Sequence, residues 1–217
     1  MRIATYNIRH GQGLDGRVST ARIAEVVRSI EADLVGLNEV WRMAGRFEQP
    51  RELGYLTGMS YEFQPVHRWG PLFQGNMVLS AGPVHAVTDL RVPRGFEHRG
   101  CLLVETEADG VRLRFGSVHL SLGKGHRSRQ IRYLAENLPT ELPLVLSGDF
   151  NGGVDELEPL REILTVVDDP PPTYSPSNPH KALDHVLYSS HWELVALATV
   201  PSRASDHLPL VAELRPR

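Results

Sequence analysis

The stretch that most restricts how this chain can fold is residues 144–151, Leu-Val-Leu-Ser-Gly-Asp-Phe-Asn, in which an apolar run leads into polar side chains. An apolar run bounded by glycine predicts a short buried strand. Side chains two residues apart in a strand point to the same side, so Asp149 and Asn151 are expected to face one point. In open α/β sheets, ligands bind just outside such strand ends. The alternative is a capping turn, because Asp and Asn also terminate strands.

Length and charge describe an ordinary globular chain. It has 217 residues, of which 41% are hydrophobic and 23% charged, and its net charge is -3. These values predict one domain over residues 1–217. Dedicated nucleic-acid binders usually carry a basic balance, so the overall charge gives no support for one, although a local basic groove is not excluded by it. The single cysteine, Cys101, rules out an internal disulfide and a cysteine-based zinc cluster.

Nothing in the sequence predicts a membrane segment or a leader. No window approaches the ~18 consecutive apolar residues typical of a membrane span. The first seven residues lack the apolar core of a signal peptide. We therefore expect a cytoplasmic protein, with a monomer as the default oligomeric state.

Hydrophobic patterns predict more strands than helices. The turn pair Asp109-Gly110 between two apolar segments is typical of a β-hairpin. Apolar residues recur at helical spacing after Ser19 or Thr20, a weaker helix covers residues 47–56, and further helices are expected near residues 131–138 and 155–164. Strands are expected at residues 2–8, 34–37, 61–66, 76–80, 84–92, 99–106, 111–120, 144–146, 183–188 and 192–200, with a last one through residue 214. Hairpins among these strands predict mixed sheets covered by helices.

Polar side chains recur at or just past the ends of the predicted strands. Each alone could be a turn cap or a strand histidine with satisfied hydrogen bonds, but buried strands do not need so many of them. Carboxylate and carboxamide oxygens are ligands suited to Mg²⁺ or Mn²⁺. Such an ion beside histidines is what phosphoester hydrolysis needs. The residues are Asn7, Glu39, His119, Asp149, Asn151, Asp184, Asp206 and His207.

Short blocks spread over nearly the whole chain resemble, in order, the motifs of the endonuclease/exonuclease/phosphatase family. That family includes abasic-site endonucleases, pancreatic-type deoxyribonucleases, neutral sphingomyelinases and inositol polyphosphate 5-phosphatases. The resemblance implies a four-layer α/β sandwich of the deoxyribonuclease type, with two mixed β-sheets face to face and helices outside. The blocks are Thr5-Tyr6-Asn7-Ile8, Asn38-Glu39-Val40, Gly75-Asn76, Ser117-Val118-His119-Leu120, Gly148-Asp149-Phe150-Asn151, Leu183-Asp184-His185-Val186 and Ser205-Asp206-His207-Leu208-Pro209.

The resemblance also implies a metal side to the site. Asn7 and Glu39 would hold Mg²⁺ or Mn²⁺, Glu39 directly, and Asp206 would complete the metal side. One departure is visible, because many members have Gln where this chain has Asn38. The shorter side chain must make different contacts, while Glu39 itself stays in place.

The remaining implied roles concern the phosphate. Asp149 would orient or deprotonate the attacking water, and Asn151 and His119 would contact phosphate oxygens. His207 would stabilise the charged transition state, with Asp184 orienting it.

Two further residues match the family with less to say about their roles. Arg99 resembles an arginine that precedes the hairpin in small members, and either a phosphate contact or a plain surface position fits it. Asn76 matches as well, but the sequence assigns it no chemical role.

These residues favour a metal-dependent hydrolase of a small or lipid-derived phosphoester. The alternative is a nuclease of the same fold acting on DNA or RNA, and a second alternative is an inactive phosphate-binding protein. Inactive relatives usually lose a carboxylate or histidine, and none is missing here. The position of two arginine clusters relative to the cleft separates the first two hypotheses: Arg42, Arg46 and Arg51, and Arg127, Arg129 and Arg132.

Overall fold

Two mixed β-sheets lie face to face in the computed structural model, which describes residues 1–217. The first sheet has seven strands: β1 Arg2–Asn7, β2 Leu34–Met43, β3 Phe47–Glu48, β4 Ser60–Trp69, β5 Leu72–Ser80, β12 Trp192–Thr199 and β13 Leu210–Pro216. Their order across the sheet is β12-β13-β1-β2-β5-β4, and β3 pairs with β2. The second sheet has six strands: β6 Val84–Leu90, β7 Gly100–Ala108, β8 Val111–His119, β9 Leu144–Asp149, β10 Thr165–Val166 and β11 Asp184–Tyr188. Their order across the sheet is β10-β11-β9-β8-β7-β6.

Each sheet contains one parallel pair among antiparallel ones. β1 runs parallel to β2, and β8 runs parallel to β9, while the neighbouring pairs are antiparallel. The predicted hairpin joins β7 to β8, and both Asp109 and Gly110 have positive φ angles, of 52° and 73°. Two positive φ values match a tight turn whose twist suits the flanking strands. The expectation of mixed sheets is therefore confirmed.

Helices cover the outer face of each sheet. Helices α1 (Thr20–Ile30) and α2 (Gln49–Thr57) pack on the first sheet, and α3 (Lys124–Asn137) packs on the second beside a 3₁₀ helix at Val154–Glu162. Ser19 caps α1 by accepting a hydrogen bond from the Arg22 backbone N–H at 3.2 Å. The segment predicted as a helix near residues 155–164 is thus a 3₁₀ helix, and it contains Pro159. The four-layer α/β sandwich is confirmed. None of the helices combines the length and hydropathy needed to cross a bilayer.

The two sheets approach each other closely just below the polar strand ends. A Cβ atom on Gly36 would lie 3.0 Å from Ser147 Oγ and 3.2 Å from the Ser117 Cβ atom. Glycine and two serines therefore let the backbones come together at this level, whereas larger apolar side chains fill the interior farther along the strands. This narrow region lets side chains of one sheet bond directly to the other.

Two predicted boundaries are wrong in a way that matters for the site. β2 does not end at residues 38–39 but continues to Met43, and β5 begins at Leu72, which places Asn76 inside a strand. The pairing of β2 with β5 shifts between Leu37 and Val40, and Glu39 has a φ of 59° there. This β-bulge, rather than a strand end, presents the Glu39 side chain.

Candidate active site

Strand register alone brings three of the predicted residues into one row. His119 on β8 is paired with Asp149 on β9, and Asp149 is paired with Asp184 on β11. The glycine before Asp149 allows this arrangement, since a Cβ on Gly148 would lie 1.9 Å from the carbonyl oxygen of Val118. Strand β9 therefore places the Asp149 carboxylate between two other ionisable side chains.

One carboxylate oxygen lies at the centre of the site. Oδ2 of Asp149 accepts a hydrogen bond from Asn7 Nδ2 at 2.9 Å, and it lies 3.5 Å from His119 Nε2 and 3.9 Å from His207 Nε2. The other oxygen, Oδ1, accepts from the backbone N–H of Asn151 at 2.9 Å. Burial raises the pKa of Asp149 to about 7, and the neighbouring Asp184 carboxylate acts in the same direction.

The sequence prediction that Asp184 contacts His207 agrees with the geometry. Nδ1 of His207 lies 2.7 Å from Asp184 Oδ2. Burial lowers the pKa of His207, but attraction to Asp184 outweighs that effect and raises it to about 10. The second Asp184 oxygen, Oδ1, is buried without a hydrogen-bond partner.

A loop between β10 and β11 holds this pair in place. The hydroxyl of Thr173 accepts from the backbone N–H of Leu183 and of Asp184, each at 3.3 Å. The carbonyl of Thr173 accepts from the Leu208 N–H at 2.8 Å, and Tyr174 forms a β-bridge with His207. Thr173 thus bonds to the backbone of Asp184 and of the residue after His207, which the sequence did not suggest.

The second histidine of the row has a cation as its partner. Nη1 of Arg99 lies 2.8 Å from His119 Nδ1, and Nη2 of Arg99 donates to Glu97 at 2.6 Å. A guanidinium only donates, so Nδ1 of His119 accepts and its ring proton is assigned to Nε2, toward Asp149. Burial, reinforced by Arg99, lowers the pKa of His119 well below its usual value. Arg99 therefore lies in the site rather than on a plain surface.

Glu39 faces the same cleft from the first sheet. Asn7 Nδ2 donates to its Oε1 at 3.3 Å, and Gln74 Nε2 donates to its Oε2 at 3.3 Å. Burial raises the pKa of Glu39, and the Asp206 carboxylate adds to that effect. Arg9 Nε lies 3.5 Å from Asp206 Oδ2. Asn7 acts here as a hydrogen-bond donor that links the Glu39 and Asp149 carboxylates.

Asn38 and Asn76 belong to a buried polar network between the sheets. Asn38 donates to Asn76 Oδ1 at 2.9 Å and to the Val118 carbonyl at 3.0 Å, and its own Oδ1 accepts from the Asp149 N–H at 3.0 Å. Asn76 donates in turn to Gln64 Oε1 and to the Gly100 carbonyl, both at 2.9 Å. Satisfied networks of this kind fix one arrangement of the core. Asn76 therefore has a positioning role beneath the site.

Comparison with known proteins agrees with this geometry. The model of the Endonuclease/Exonuclease/phosphatase family matches residues 4–207. The chain belongs to this family. No curated protein matches it by sequence.

Solved structures share the family fold at low sequence identity. An endonuclease/exonuclease/phosphatase from Beutenbergia cavernae has a TM-score of 0.87 at 24% identity, covering 100% of this chain and 71% of that one. The human Nocturnin catalytic domain, solved with a sulfate anion, has 0.78 at 20%, covering 100% and 94%. A mannosyl-6-phosphatase from Bacteroides thetaiotaomicron has 0.74 at 15%, covering 99% of each chain.

Apart from Asp184, which is buried behind His207, the predicted site residues of this family member line an open cleft of about 520 Å³. Sequence reasoning missed several of its residues. Gln74 lies two positions before the matched Asn76 and could have been found from strand alternation. Nothing in the sequence marks the others, which reach the cleft from loops and a hairpin tip: Trp69, Glu97, Leu122, Tyr174 and Lys181.

Two groups of side chains in the cleft could hold a metal ion. Ligand atoms of Asp149, Asp184 and His207 all lie within 4.8 Å of one another. In this group, however, one nitrogen of His207 and one oxygen of Asp184 already bond to each other. Glu39 and Asp206 form the second group, whose carboxylates repel each other and whose chemistry suits a hard divalent cation.

Proposed function

We propose that residues 1–217 form one catalytic domain that hydrolyses a small phosphoester with a divalent metal ion. The observation that carries this proposal is the environment of Asp149 Oδ2, which faces Asn7 and two histidines of opposite electrostatic surroundings. A carboxylate whose pKa is about 7 is suited to take a proton from water near neutral pH. We assign Asp149 to orienting or deprotonating the attacking water.

The metal side of the site is assigned to Glu39 and Asp206. Burial of Glu39 and repulsion from the Asp206 carboxylate disfavour the ionised form of Glu39, so a hard divalent cation such as Mg²⁺ or Mn²⁺ fits this donor set. When bound, such an ion neutralises phosphate charge and favours ionisation of water. We assign Asn7 to the metal side as well, next to Glu39, to which its amide nitrogen donates a hydrogen bond at 3.3 Å.

The two histidines and Asn151 are assigned to the phosphate. His207 is held as a cation by Asp184 and donates toward the charge that builds on the phosphate oxygens. His119 donates from Nε2 while remaining neutral, with Arg99 fixing its ring. Nδ2 of Asn151 is bonded to the Leu120 carbonyl at 3.0 Å, which orients its amide oxygen and nitrogen.

Substrate size is argued from the positions of the arginines. None of the six in the two clusters lines the cleft, whose lining contains one arginine, Arg99, and one lysine, Lys181. Arg127 is buried and ion-paired with Glu156 at 2.7 Å, and Arg42 lies over the Phe63 ring at 5.1 Å. A nucleic-acid groove needs a track of cations along the backbone. The cleft therefore supports a small phosphoester over DNA or RNA.

A hydrolysis panel with Mg²⁺ tests the proposal. It compares bis-p-nitrophenyl phosphate with the monoester, plasmid DNA, an abasic-site duplex, sphingomyelin and inositol phosphates. We expect turnover of a small phosphoester that EDTA abolishes, and weaker metal binding in Glu39→Ala measured by calorimetry. Full activity in EDTA would remove the basis of the mechanism.

A further inference from the structure

A second, more apolar pocket opens beside the cleft. Its volume is about 200 Å³, and it is lined by Phe96, Glu97, Ser121, Leu122, Gly123 and His126. Glu97 and Leu122 line the catalytic cleft as well, so the two spaces share a wall. The pocket therefore lies next to the part of the cleft lined by Glu97 and Leu122, within reach of a group attached to a phosphate there.

The apolar side chains of the pocket are unusually exposed. Phe96 is 95% exposed and Leu122 is 68% exposed. Single exposed hydrophobic residues are common on protein surfaces and need no explanation. Two of them lining one pocket that adjoins a catalytic cleft are different, because such concave sites are where ligands bury apolar surface.

Hydrogen bonds hold the wall of the pocket that contains Ser121 and Leu122. Gln130, which is fully buried, donates to the Pro93 carbonyl at 2.9 Å and to Ser121 Oγ at 3.0 Å, so it links this wall to the segment that precedes Phe96. Arg127 donates to the carbonyls of Ser121 and Leu122 at 3.1 and 2.6 Å. A wall that is already ordered in this way loses little entropy on binding.

The remaining lining groups indicate what kind of group fits. The Phe96 and His126 rings meet edge to face, with centroids 5.3 Å apart and an interplanar angle of 76°. Glu97, Ser121 and His126 contribute polar groups to the same lining. A planar heteroaromatic ring has apolar faces and a polar edge, which matches this lining. An alkyl chain would cover the polar groups without giving them hydrogen bonds.

We infer that the Phe96–Leu122–His126 pocket is a subsite for the nucleobase of a nucleotide whose phosphate lies in the catalytic cleft. This inference rests on the proposed function and names its substrate class. The occupant is a free nucleotide rather than a nucleic-acid strand, because the arginine clusters do not line the cleft. The ring stacks on Phe96, an interaction available to every base through its flat face.

Binding to full-length Asp149→Asn tests the subsite without consuming the ligand. Titration calorimetry with Mg²⁺ compares adenosine 5′-monophosphate with ribose 5-phosphate, which lacks the ring, and with hexyl phosphate, which replaces the ring with an alkyl chain. We expect the nucleotide to bind at least about fivefold more tightly than ribose 5-phosphate, the lower limit for one base stacked on an aromatic side chain.

Variants then show whether the tighter binding of the nucleotide, relative to ribose 5-phosphate, comes from this pocket. Phe96→Ala should remove it, Phe96→Tyr should keep it, and Tyr55→Ala, which removes an equally exposed ring (85%) from α2, should leave it unchanged. Equal binding of the nucleotide and ribose 5-phosphate overturns the subsite, whether both bind or neither does. Hexyl phosphate matching the nucleotide overturns the ring assignment, and a 5′-phosphorylated tetranucleotide binding more tightly overturns the free nucleotide. The hydrolysis panel judges the proposed function separately.

Discussion

Two histidines approach the same oxygen of Asp149 from opposite sides, and their partners give them opposite electrostatic surroundings. His119 lies 3.5 Å from that oxygen and His207 lies 3.9 Å from it. Both rings are buried. Yet the pKa of His119 is lowered well below its usual value, whereas that of His207 is raised to about 10.

The difference comes from one neighbour on each side. Burial lowers the pKa of both rings, so desolvation alone would make both neutral. Asp184 reverses that effect at His207, and Arg99 reinforces it at His119. Groups of one type whose pKa values are pushed apart in one site are typical of acid and base roles. The cleft can thus present a neutral donor and a cationic donor to one phosphate.

The largest effect should come from removing the cationic histidine, His207, or its partner, Asp184. Removing a donor that stabilises transition-state charge commonly costs about 10²–10³ in rate, and we expect His207→Ala to lose at least that much in kcat. Asp184→Ala should also lose heavily, because the ring would lose both its charge and its orientation. Steady-state kinetics of the double variant should scarcely differ from His207→Ala, since residues that act as a unit are non-additive.

Additive losses in that cycle would contradict the pairing. A His207→Ala enzyme with nearly normal kcat would contradict it as well. Asp184→Asn is the matched control, because it keeps the shape of the side chain while removing its charge.

Removing the partner of the neutral histidine, His119, should lower the rate less and should also change the tautomer of the ring. Replacing Arg99 by Leu removes the cation beside His119 and frees Nδ1, so the pKa of that ring should rise and its tautomer should become mixed. The rate should fall by less than the ~10²-fold expected for loss of an acid–base group, because the ring remains. Nitrogen chemical shifts of the His119 ring report both changes. An unchanged tautomer in Arg99→Leu would show that Arg99 does not set it.

Stability against pH gives the third prediction. The folded-state pKa of His207, about 10, is above its unfolded value of about 6.5. Its ion pair therefore stabilises the fold fully below pH 6.5, and this contribution is lost as pH rises through about 10. Urea unfolding in EDTA should show Asp184→Asn destabilised at pH 6 by about 1.5–3 kcal/mol, the range for a hydrogen bond to a charged group, and by less at pH 10.

The matched variant for that measurement is Asp168→Asn, whose carboxylate is 84% exposed and pairs with Arg161 on the surface. It should show no such pH dependence. A destabilisation of Asp184→Asn that is constant from pH 6 to 10 would mean that His207 is not charged in the folded protein.

How far the sequence could predict the difference between the two histidines depends on how far apart in the sequence the contacting residues lie. Asp149 was found from an apolar run of its own strand, and the hairpin from its turn residues. The opposite surroundings of the histidines could not be found from such local patterns. Pairing of β7 with β8 brings Arg99 to His119, whereas Asp184, which the family resemblance implied, lies beside His207 through the loop at residues 173 and 174. The bulge at Glu39 was missed for the same reason, since a register shift between β2 and β5 creates it.

Thr173 shows the limit most clearly. It lies in a proline-rich segment that reads as an irregular loop, yet its hydroxyl and carbonyl contact residues on both sides of the ion pair. No local pattern distinguishes it from its neighbours. Conversely, the arginines at 127 and 129 look alike in sequence, although Arg127 is buried and Arg129 lies on the exposed side of α3.

The smallest effect should come from an exposed arginine–histidine pair that resembles the buried pair of Arg99 and His119. Arg129 Nη2 lies 2.6 Å from His126 Nδ1, much as Arg99 contacts His119, but the pair is exposed. Exposed pairs contribute about 0–1 kcal/mol, so Arg129→Ala should change neither unfolding nor hydrolysis of bis-p-nitrophenyl phosphate measurably. A loss as large as that in Arg99→Leu would show that contact with an arginine, rather than burial in the cleft, decides the effect.

The salt dependence of cleavage tests whether the exposed arginines of α3 contact the substrate. Arg127 is unsuitable for it, because breaking its ion pair with Glu156 would destabilise the fold, whereas Arg129 and Arg132 are exposed on α3. If DNA were the substrate, these two arginines would release counterions, and plasmid cleavage would fall steeply as salt rises. A small phosphoester bound by Arg99 and the buried histidines should show only a shallow dependence. A steep slope on plasmid DNA that disappears in the Arg129→Ala/Arg132→Ala double variant would move the substrate contacts from the cleft to the surface of α3.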